Sequence, residues 1–294
     1  MTKIQGVQKF YLFNNLTHVF QSDKLKVVNS KGIEYNPGLN NQIGCELVVS
    51  KYTKLSNIEK SIKDRSFYFS SPSGWLDPFE MLFYQSEMKV GGDNNVIVHA
   101  SCFACNDIEN EEGFWQIWSK DEKEPIVRVT YNVVNLLTSL NNQAGNRYDF
   151  YLGGMEYKNR EEIKDIAQQR VNHYELIDDY LNKLCLKRNA YRYENELRLF
   201  VKKVSIGNNE SELENTIIDN VDYSNHIITE ITLPPADPLG NSHPAKDKMK
   251  EYQECVNALA RQRIQKMIDN GLLSCKINQS ALYCVDVKRR TYNF

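Results

Sequence analysis

The sequence contains no long uninterrupted apolar run. None of its apolar segments approaches the roughly 20 residues that a membrane-spanning helix requires. The first fifteen residues, MTKIQGVQKFYLFNN, also lack the long apolar core of a secretory signal. We therefore expect a cytoplasmic protein that makes no membrane contact.

Neither sign of charge dominates the composition. Lys plus Arg number 36 and Asp plus Glu number 38, so the net charge is −2 and no global field draws the chain to nucleic acid or to an anionic membrane. Seven cysteines form an odd, scattered set, which indicates reduced thiols and not a disulfide framework. With 294 residues, 41% of them hydrophobic, the chain is long enough to bury a sizeable core.

Several catalytic motifs are missing. The sequence has no H-E-x-x-H pair and no G-x-S-x-G nucleophile elbow, which argues against metalloproteases and α/β-hydrolases. It has no G-x-x-x-x-G-K-[ST] loop and no G-x-G-x-x-G fingerprint, which argues against phosphoryl transfer and hydride transfer. Cys102 and Cys105 have C-x-x-C spacing, but no second ligand pair accompanies them. They are better interpreted as strand thiols than as a zinc or redox site.

The periodicity of the sequence predicts an α+β fold with a mixed, mainly antiparallel central sheet flanked by helices. Residues 1–40 are Asn-rich and are interpreted as an N-terminal extension, and residues 41–294 as one catalytic-type domain. Apolar alternation predicts strands over residues 45–52, 67–70, 96–103, 126–131, 191–201, 226–233 and 280–287. Helical spacing predicts helices over residues 53–62, 161–187 (as a pair) and 247–270.

Two acidic segments are candidate sites. Asp77 and Glu80 flank a turn stiffened by Pro78, for which a helix cap is the plain alternative. Glu194 and Glu196 stand two residues apart in a predicted strand, so both carboxylates should share one face. A carboxylate pair of this kind suits chemistry at a sugar centre, where one group steadies an oxocarbenium-like state and the other orients the nucleophile. The alternative is a solvated strand face with ordinary ion pairs.

Several short motifs follow one another in a recognisable order. They are the segments 67–72, 76–80, 101–103, 115–119, 193–198 and 278–283. Their order, over roughly residues 47–286, resembles a bacterial family known as domain of unknown function 2971. The family name implies no activity.

The sequence departs from the usual motifs of that family. Leu76 stands where the family has Asn, and Ser119 is followed by Lys and Asp where the family has His and Tyr. Tyr191 or Tyr193 replaces the Trp that precedes the acidic pair. We therefore assign no catalytic histidine.

A second, looser resemblance is to ADP-ribosyltransferase-like toxins. These enzymes build an NAD cleft from a first-strand residue, a serine- or tyrosine-bearing strand and a later Q/E-x-E strand. Here Tyr52, then either Ser70 and Ser71 or Ser101, and then the segment 194–196 occur in that order. The resemblance implies an ADP-ribosyltransferase-like sheet. It also implies an enzyme or toxin of bacterial anti-phage defence or toxin–antitoxin conflict, with a nucleic-acid or protein acceptor and an inhibitory partner protein.

The resemblance also assigns roles to individual residues. NAD is the expected substrate, and an NAD-dependent ADP-ribosyltransferase or glycosyltransferase is the expected class of enzyme. Glu196 is expected to stabilise the oxocarbenium-like state, and Glu194 to orient the acceptor. The residues expected to contact NAD are Tyr52, Trp75, Ser101 and Arg192. No metal ligand is assigned.

Two other functions remain open. A non-catalytic module could bind a protein or nucleotide through an aromatic groove formed by Trp75, Phe79, Trp115, Trp118 and Tyr191. A nuclease could instead bind Mg²⁺ through Asp77, Glu80, Glu194 and Glu196, because carboxylates are the ligands that this ion prefers.

Overall fold

The computed structural model of this chain shows strands and helices interleaved along the sequence. It describes residues 10–13, 25–27, 33–35, 48–75, 77–84, 88–90, 93–105, 115, 124–144, 148–168, 173–174, 177–194, 196–204, 215–235 and 246–280. In chain order the strands are β1 (Phe10–Phe13), β2 (Leu25–Val27), β3 (Ile33–Tyr35), β4 (Val48–Lys54), β5 (Phe67–Phe69), β6 (Met88–Val90), β7 (Asp93–Cys105), β8 (Ile126–Asn132), β9 (Tyr148–Gly154), β10 (Glu156–Lys158), β11 (His173–Tyr174), β12 (Leu186–Arg188), β13 (Glu196–Val204), β14 (Thr216–Ile218), β15 (Ile228–Leu233) and β16 (Lys276–Gln279).

The helices fall between these strands. They are α1 (Leu55–Lys63), α2 (Pro78–Met81), α3 (Val133–Ala144), α4 (Arg160–Gln168), α5 (Ile177–Leu184) and α6 (Lys246–Asp269), with 3₁₀ turns at Pro72–Gly74 and Asn189–Glu194. The predicted helix pair over residues 161–187 is confirmed as α4 and α5, and the predicted helix over residues 247–270 is confirmed as α6. None of the helices in the described part of the chain has both the length and the apolarity to cross a membrane.

A ten-stranded sheet forms the centre of the molecule. Its main path runs β1-β9-β13-β7-β4-β8-β15-β16, while β6 pairs with β7 and β11 pairs with β6. The central pairings, such as β13 with β7 and with β9, are antiparallel. The outermost strands β1, β16 and β11 pair in parallel with their neighbours. The predicted α+β fold with a mixed, mainly antiparallel sheet is therefore confirmed.

Strand alternation gives the sheet two different faces. Along β13, Leu197 and Leu199 point to one face and Glu196 and Arg198 to the other. We call the first the core face and the second the cluster face. Helices α1, α3 and α6 cover the core face with apolar side chains, and α4 and α5 pack against the apolar part of the cluster face.

Two expectations about strand boundaries need correction. The predicted strand over residues 191–201 begins only at Glu196, because Asn189–Glu194 forms a 3₁₀ turn. A strand lies at residues 276–279, just before the predicted strand over residues 280–287, most of which lies outside the described residues. The division at residue 40 stays a prediction, although β1 in the predicted extension pairs with β9.

Candidate functional site

Charged side chains converge where β13 begins, and we call this group the charged cluster. It combines three carboxylates with two cations, all of them linked by ion pairs. Its members are Glu80, Lys187, Glu194, Glu196 and Arg198. Its formal charge is negative when every member is ionised.

The local sequence explains how α2 carries Glu80 into the charged cluster. The Asp77 carboxylate accepts a hydrogen bond from the Phe79 backbone N–H at 3.0 Å and so caps the helix. Pro78 follows at the start of α2, where its missing N–H removes no intrahelical hydrogen bond. The cap that we weighed for Asp77 is confirmed, and it places the Glu80 side chain in the protein interior.

Arg198 is the most deeply buried member of the charged cluster. Its Nε donates to Glu196 Oε1 at 2.6 Å, and its Nη2 donates to Glu80 Oε2 at 2.5 Å. Its Nη1 donates to the Leu184 backbone carbonyl at 2.6 Å. Because the side chain is only 1% exposed, these three acceptors replace the water that the guanidinium loses on folding.

Lys187 links the three carboxylates. Its Nζ lies 3.1 Å from Glu80 Oε1, 2.6 Å from Glu194 Oε2 and 2.7 Å from Glu196 Oε2. An ammonium group has three N–H donors, so each carboxylate can receive one. Lys187 therefore holds Glu194 and Glu196 side by side, although they belong to different elements, the 3₁₀ turn and β13.

Glu194 and Glu196 experience opposite electrostatic environments. Burial raises the pKa of Glu194, and the nearby Lys187 does not outweigh that effect. Burial also acts to raise the pKa of Glu196, but Arg198 and Lys187 outweigh it and hold that pKa well below its usual range. The Glu194 side chain is 24% exposed and that of Glu196 is 6% exposed. One carboxyl is thus a buried anion, and the other is a more basic group at the surface.

Aromatic rings and a further arginine border the charged cluster. The Trp75 ring centroid lies 3.9 Å from the Arg198 guanidinium carbon, and the Tyr191 ring centroid lies 5.2 Å from Lys187 Nζ. Arg188 Nε donates to Asp77 Oδ2 at 3.1 Å. The border is therefore aromatic and cationic, while the interior holds the carboxylates.

Two of the residues expected to contact NAD lie on the same side of the sheet as Glu196. Trp75 stacks on Arg198, as described above. Tyr52 on β4 lies on the cluster face, where its ring meets Trp115 edge-on with the centroids 5.0 Å apart. Tyr52 is 9% exposed, so its ring is mostly covered by protein.

Ser101 and Arg192 lie elsewhere. Ser101 pairs with Leu199 in the β7–β13 register, which places it on the core face, opposite Glu196. There its hydroxyl accepts a hydrogen bond from Lys51 Nζ at 2.9 Å. Arg192 is exposed on the 3₁₀ turn and does not share a strand face with Arg198. The structure therefore does not bring Ser101 and Glu196 into one cleft.

Sequence reasoning missed Lys187, Arg188 and Tyr157. Lys187 was predicted as the end of a helix and Arg188 was assigned to no element, but both lie on β12. The Tyr157 hydroxyl accepts a hydrogen bond from the Glu196 backbone N–H at 2.8 Å. The sequence signal for Lys187 and Arg188 is that a basic pair directly follows the apolar residues 184–186. That signal does not show which carboxylates lie near the pair.

The four carboxylates of the nuclease hypothesis are all paired with cations. Asp77 faces Arg188, and Glu80, Glu194 and Glu196 face Lys187. Over the residues that the structure describes, no group of three or more His, Cys, Asp or Glu side chains is arranged to hold a metal ion. Trp118 of the predicted aromatic groove lies outside the described residues.

No family model matches the chain, and no curated protein matches it. The two family resemblances drawn from the sequence therefore stay predictions.

Proposed function

We propose that the chain is an ADP-ribosyltransferase-like enzyme that cleaves the nicotinamide–ribose bond of NAD and passes the ADP-ribosyl group to an acceptor. The observation that supports this proposal is the carboxylate pair Glu194 and Glu196. One ammonium, that of Lys187, holds the two groups, and their pKa values are shifted in opposite directions. Carboxyl pairs with separated pKa values divide acid–base and electrostatic roles in glycosyl chemistry.

The geometry supports the acceptor role predicted for Glu194 but not the direct substrate contact predicted for Glu196. Both Glu196 oxygens are engaged by Arg198 and Lys187, so this group anchors the cluster and has little capacity to contact substrate. Glu194 is more exposed and more basic. It is therefore the better base for the acceptor.

The proposed reaction is a single displacement at the ribose C1′ atom. The bond from C1′ to the nicotinamide nitrogen breaks, and its electron pair leaves with nicotinamide. The acceptor forms the new bond to C1′ and loses its proton to Glu194. The Tyr191 ring, which lies over Lys187 and beside Glu194 in the chain, offers an aromatic surface for the nicotinamide.

A matched set of glutamate variants tests this proposal. Nicotinamide release from NAD is measured for the wild type, Glu194→Gln and Glu161→Gln with water as the acceptor, which bonds to C1′ as a hydroxyl group and gives its proton to Glu194, so the natural acceptor need not be known. Glu161 is exposed on α4, where it pairs with Lys164, and it provides the control for loss of one surface carboxylate. Removal of a general base should slow release by about 10²–10⁴-fold in Glu194→Gln, with Glu161→Gln unchanged.

Two results would end the proposal. One is a Glu194→Gln variant that releases nicotinamide at the wild-type rate. The other is a wild-type protein that neither releases nicotinamide nor binds NAD in calorimetry.

A non-catalytic binding module is the second candidate, and one specific observation favours it. Every carboxylate of the charged cluster is paired with a cation, as in networks that only support structure. For such a module Glu196→Gln should leave partner binding intact and Trp118→Ala should abolish it. The magnesium nuclease stays untested, and metal-dependent cleavage abolished by EDTA would select it.

A further inference from the structure

Arg188 is held in one orientation at the border of the charged cluster. Its Nε donates to Asp77 Oδ2 at 3.1 Å and its Nη2 donates to the Tyr191 hydroxyl at 3.1 Å. Its guanidinium carbon lies 4.8 Å from the Phe79 ring centroid and 5.1 Å from that of Tyr191. Within the described part of the chain Nη1 has no hydrogen-bond partner, and the side chain is 29% exposed. A donor of Arg188 is therefore oriented and available.

Arg160 lies on the same aromatic ring. Its guanidinium carbon is 5.4 Å from the Phe79 centroid, so Phe79 is in contact range of both Arg160 and Arg188. Arg160 is exposed, and among the described residues it has no carboxylate or hydrogen-bond partner. Two guanidinium groups thus adjoin one ring, and each of them keeps free donors.

The carboxylates of Asp77 and of the first turn of α4 already have partners. Asp77 pairs with Arg188 and caps α2. On α4, Glu162 accepts a hydrogen bond from the Asn159 backbone N–H at 2.8 Å, and Glu161 pairs with Lys164 at 3.4 Å. The Arg160 charge is not neutralised by any of these contacts, so the surface around Phe79 retains an attraction for an anion.

We propose that Arg160 and Arg188 bind the diphosphate group of a nucleotide substrate across the edge of Phe79. Guanidinium groups present paired N–H donors that match phosphate oxygens. Tyr191 connects this anion site to the charged cluster, because its hydroxyl contacts Arg188 and its ring adjoins Lys187. The inference rests on the proposed function and deepens it. The substrate is a dinucleotide recognised through its diphosphate group, and its nucleoside half without phosphate binds poorly.

Binding of ADP-ribose tests the anion site without any reaction, since ADP-ribose lacks the bond that is cleaved. Calorimetry compares the wild type, Arg160→Gln and Lys164→Gln. Lys164 lies one turn further along α4, so its variant removes the same charge away from Phe79. We expect about tenfold weaker binding for Arg160→Gln, the scale of one charge-assisted contact. We expect Lys164→Gln to weaken ADP-ribose binding by less than about twofold, because exposed charges are screened by salt.

Inorganic pyrophosphate identifies the part of the ligand that the site recognises. It should compete with ADP-ribose on the wild type, while nicotinamide riboside, which has no phosphate, should not. The inference is overturned if the wild type does not bind ADP-ribose, or if Arg160→Gln binds it as tightly as Lys164→Gln does. It is also overturned if pyrophosphate fails to compete with ADP-ribose, or if nicotinamide riboside competes. Should binding behave as expected while nicotinamide is never released, the anion site stands and the proposed reaction falls. If nicotinamide is released while Arg160→Gln and Lys164→Gln bind ADP-ribose equally well, the proposed reaction stands and the anion site falls.

Discussion

Two lysines on opposite faces of the sheet, Lys187 buried and Lys51 partly buried, show how differently this fold treats a cation. On the cluster face, Lys187 contacts three carboxylates within 3.1 Å. On the core face, Lys51 donates to the Ser101 hydroxyl at 2.9 Å and lies 5.8 Å from the Phe103 ring centroid. Among the described residues Lys51 has no carboxylate partner.

The pKa values of the two lysines shift in opposite directions for this reason. Burial acts to lower the pKa of Lys187, but Glu196 and Glu80 outweigh it and raise that pKa. Burial lowers the pKa of Lys51, and a hydroxyl dipole cannot replace a full negative charge. The charged cluster should therefore be costly to break, whereas the Lys51–Ser101 pair should be easy to replace by apolar groups.

The largest effect is expected when Arg198 is removed from the charged cluster. Arg198→Met removes one of the two cationic partners of the buried carboxylates of Glu80 and Glu196, which keep Lys187, and it removes the donor of the Leu184 carbonyl. Breaking a buried ion pair from one side typically costs about 3–5 kcal/mol of unfolding free energy. Urea unfolding at neutral pH measures this loss.

A surface ion pair gives the matched control for that measurement. Lys158 pairs with Glu156 at 2.7 Å, but the Glu156 side chain is 58% exposed. Lys158→Gln should change the free energy of unfolding by less than about 0.5 kcal/mol. If Arg198→Met costs no more than Lys158→Gln, the charged cluster does not stabilise the fold and the comparison of the two faces fails.

The apolar pattern of the sequence predicted most of the regular structure. The strong strand at residues 96–103 and the helix at residues 247–270 are both present, because each buries an apolar face whose period is visible in one segment alone. The 3₁₀ turn at Asn189–Glu194 was mistaken for a strand, since its alternating polar and aromatic residues imitate a period of two. Tertiary contacts to β10 and β12 decide its conformation.

The candidate site was less predictable, because it depends on strand register and on distant partners. The pairing of Leu199 with Ser101 puts Ser101 on the core face, and a shift of one residue would have put it on the cluster face, which Glu196 shares. Lys187 reaches Glu80 across more than a hundred residues of sequence. Neither relation leaves a trace in local composition, so the sequence could suggest the carboxylates but not the cations that set their pKa values.

A smaller effect is expected on the core face. Ser101→Ala removes the hydrogen-bond acceptor of Lys51 and leaves its ammonium without a partner, which should cost about 1–2 kcal/mol. Lys51→Met combined with Ser101→Ala removes both polar groups and should be neutral, or stabilising by up to about 1 kcal/mol. Urea unfolding of the single and double variants measures the difference. A double variant less stable than Ser101→Ala alone would mean that Lys51 is compensated after all.

The smallest effect is a dependence of stability on alkaline pH that Lys51 should contribute and Arg198 should not. Because the folded-state pKa of Lys51 lies below its unfolded value, the unfolded chain binds more protons in the window between the two values. Wild-type stability, measured relative to Lys51→Met, should therefore rise as the pH increases toward 10.5, the ordinary pKa of a lysine. Relative to Arg198→Met it should stay constant, since a guanidinium remains protonated throughout that range. Equal slopes for the two variants would show that the Lys51 ammonium is as well compensated as the charged cluster, and the contrast between the two faces would disappear.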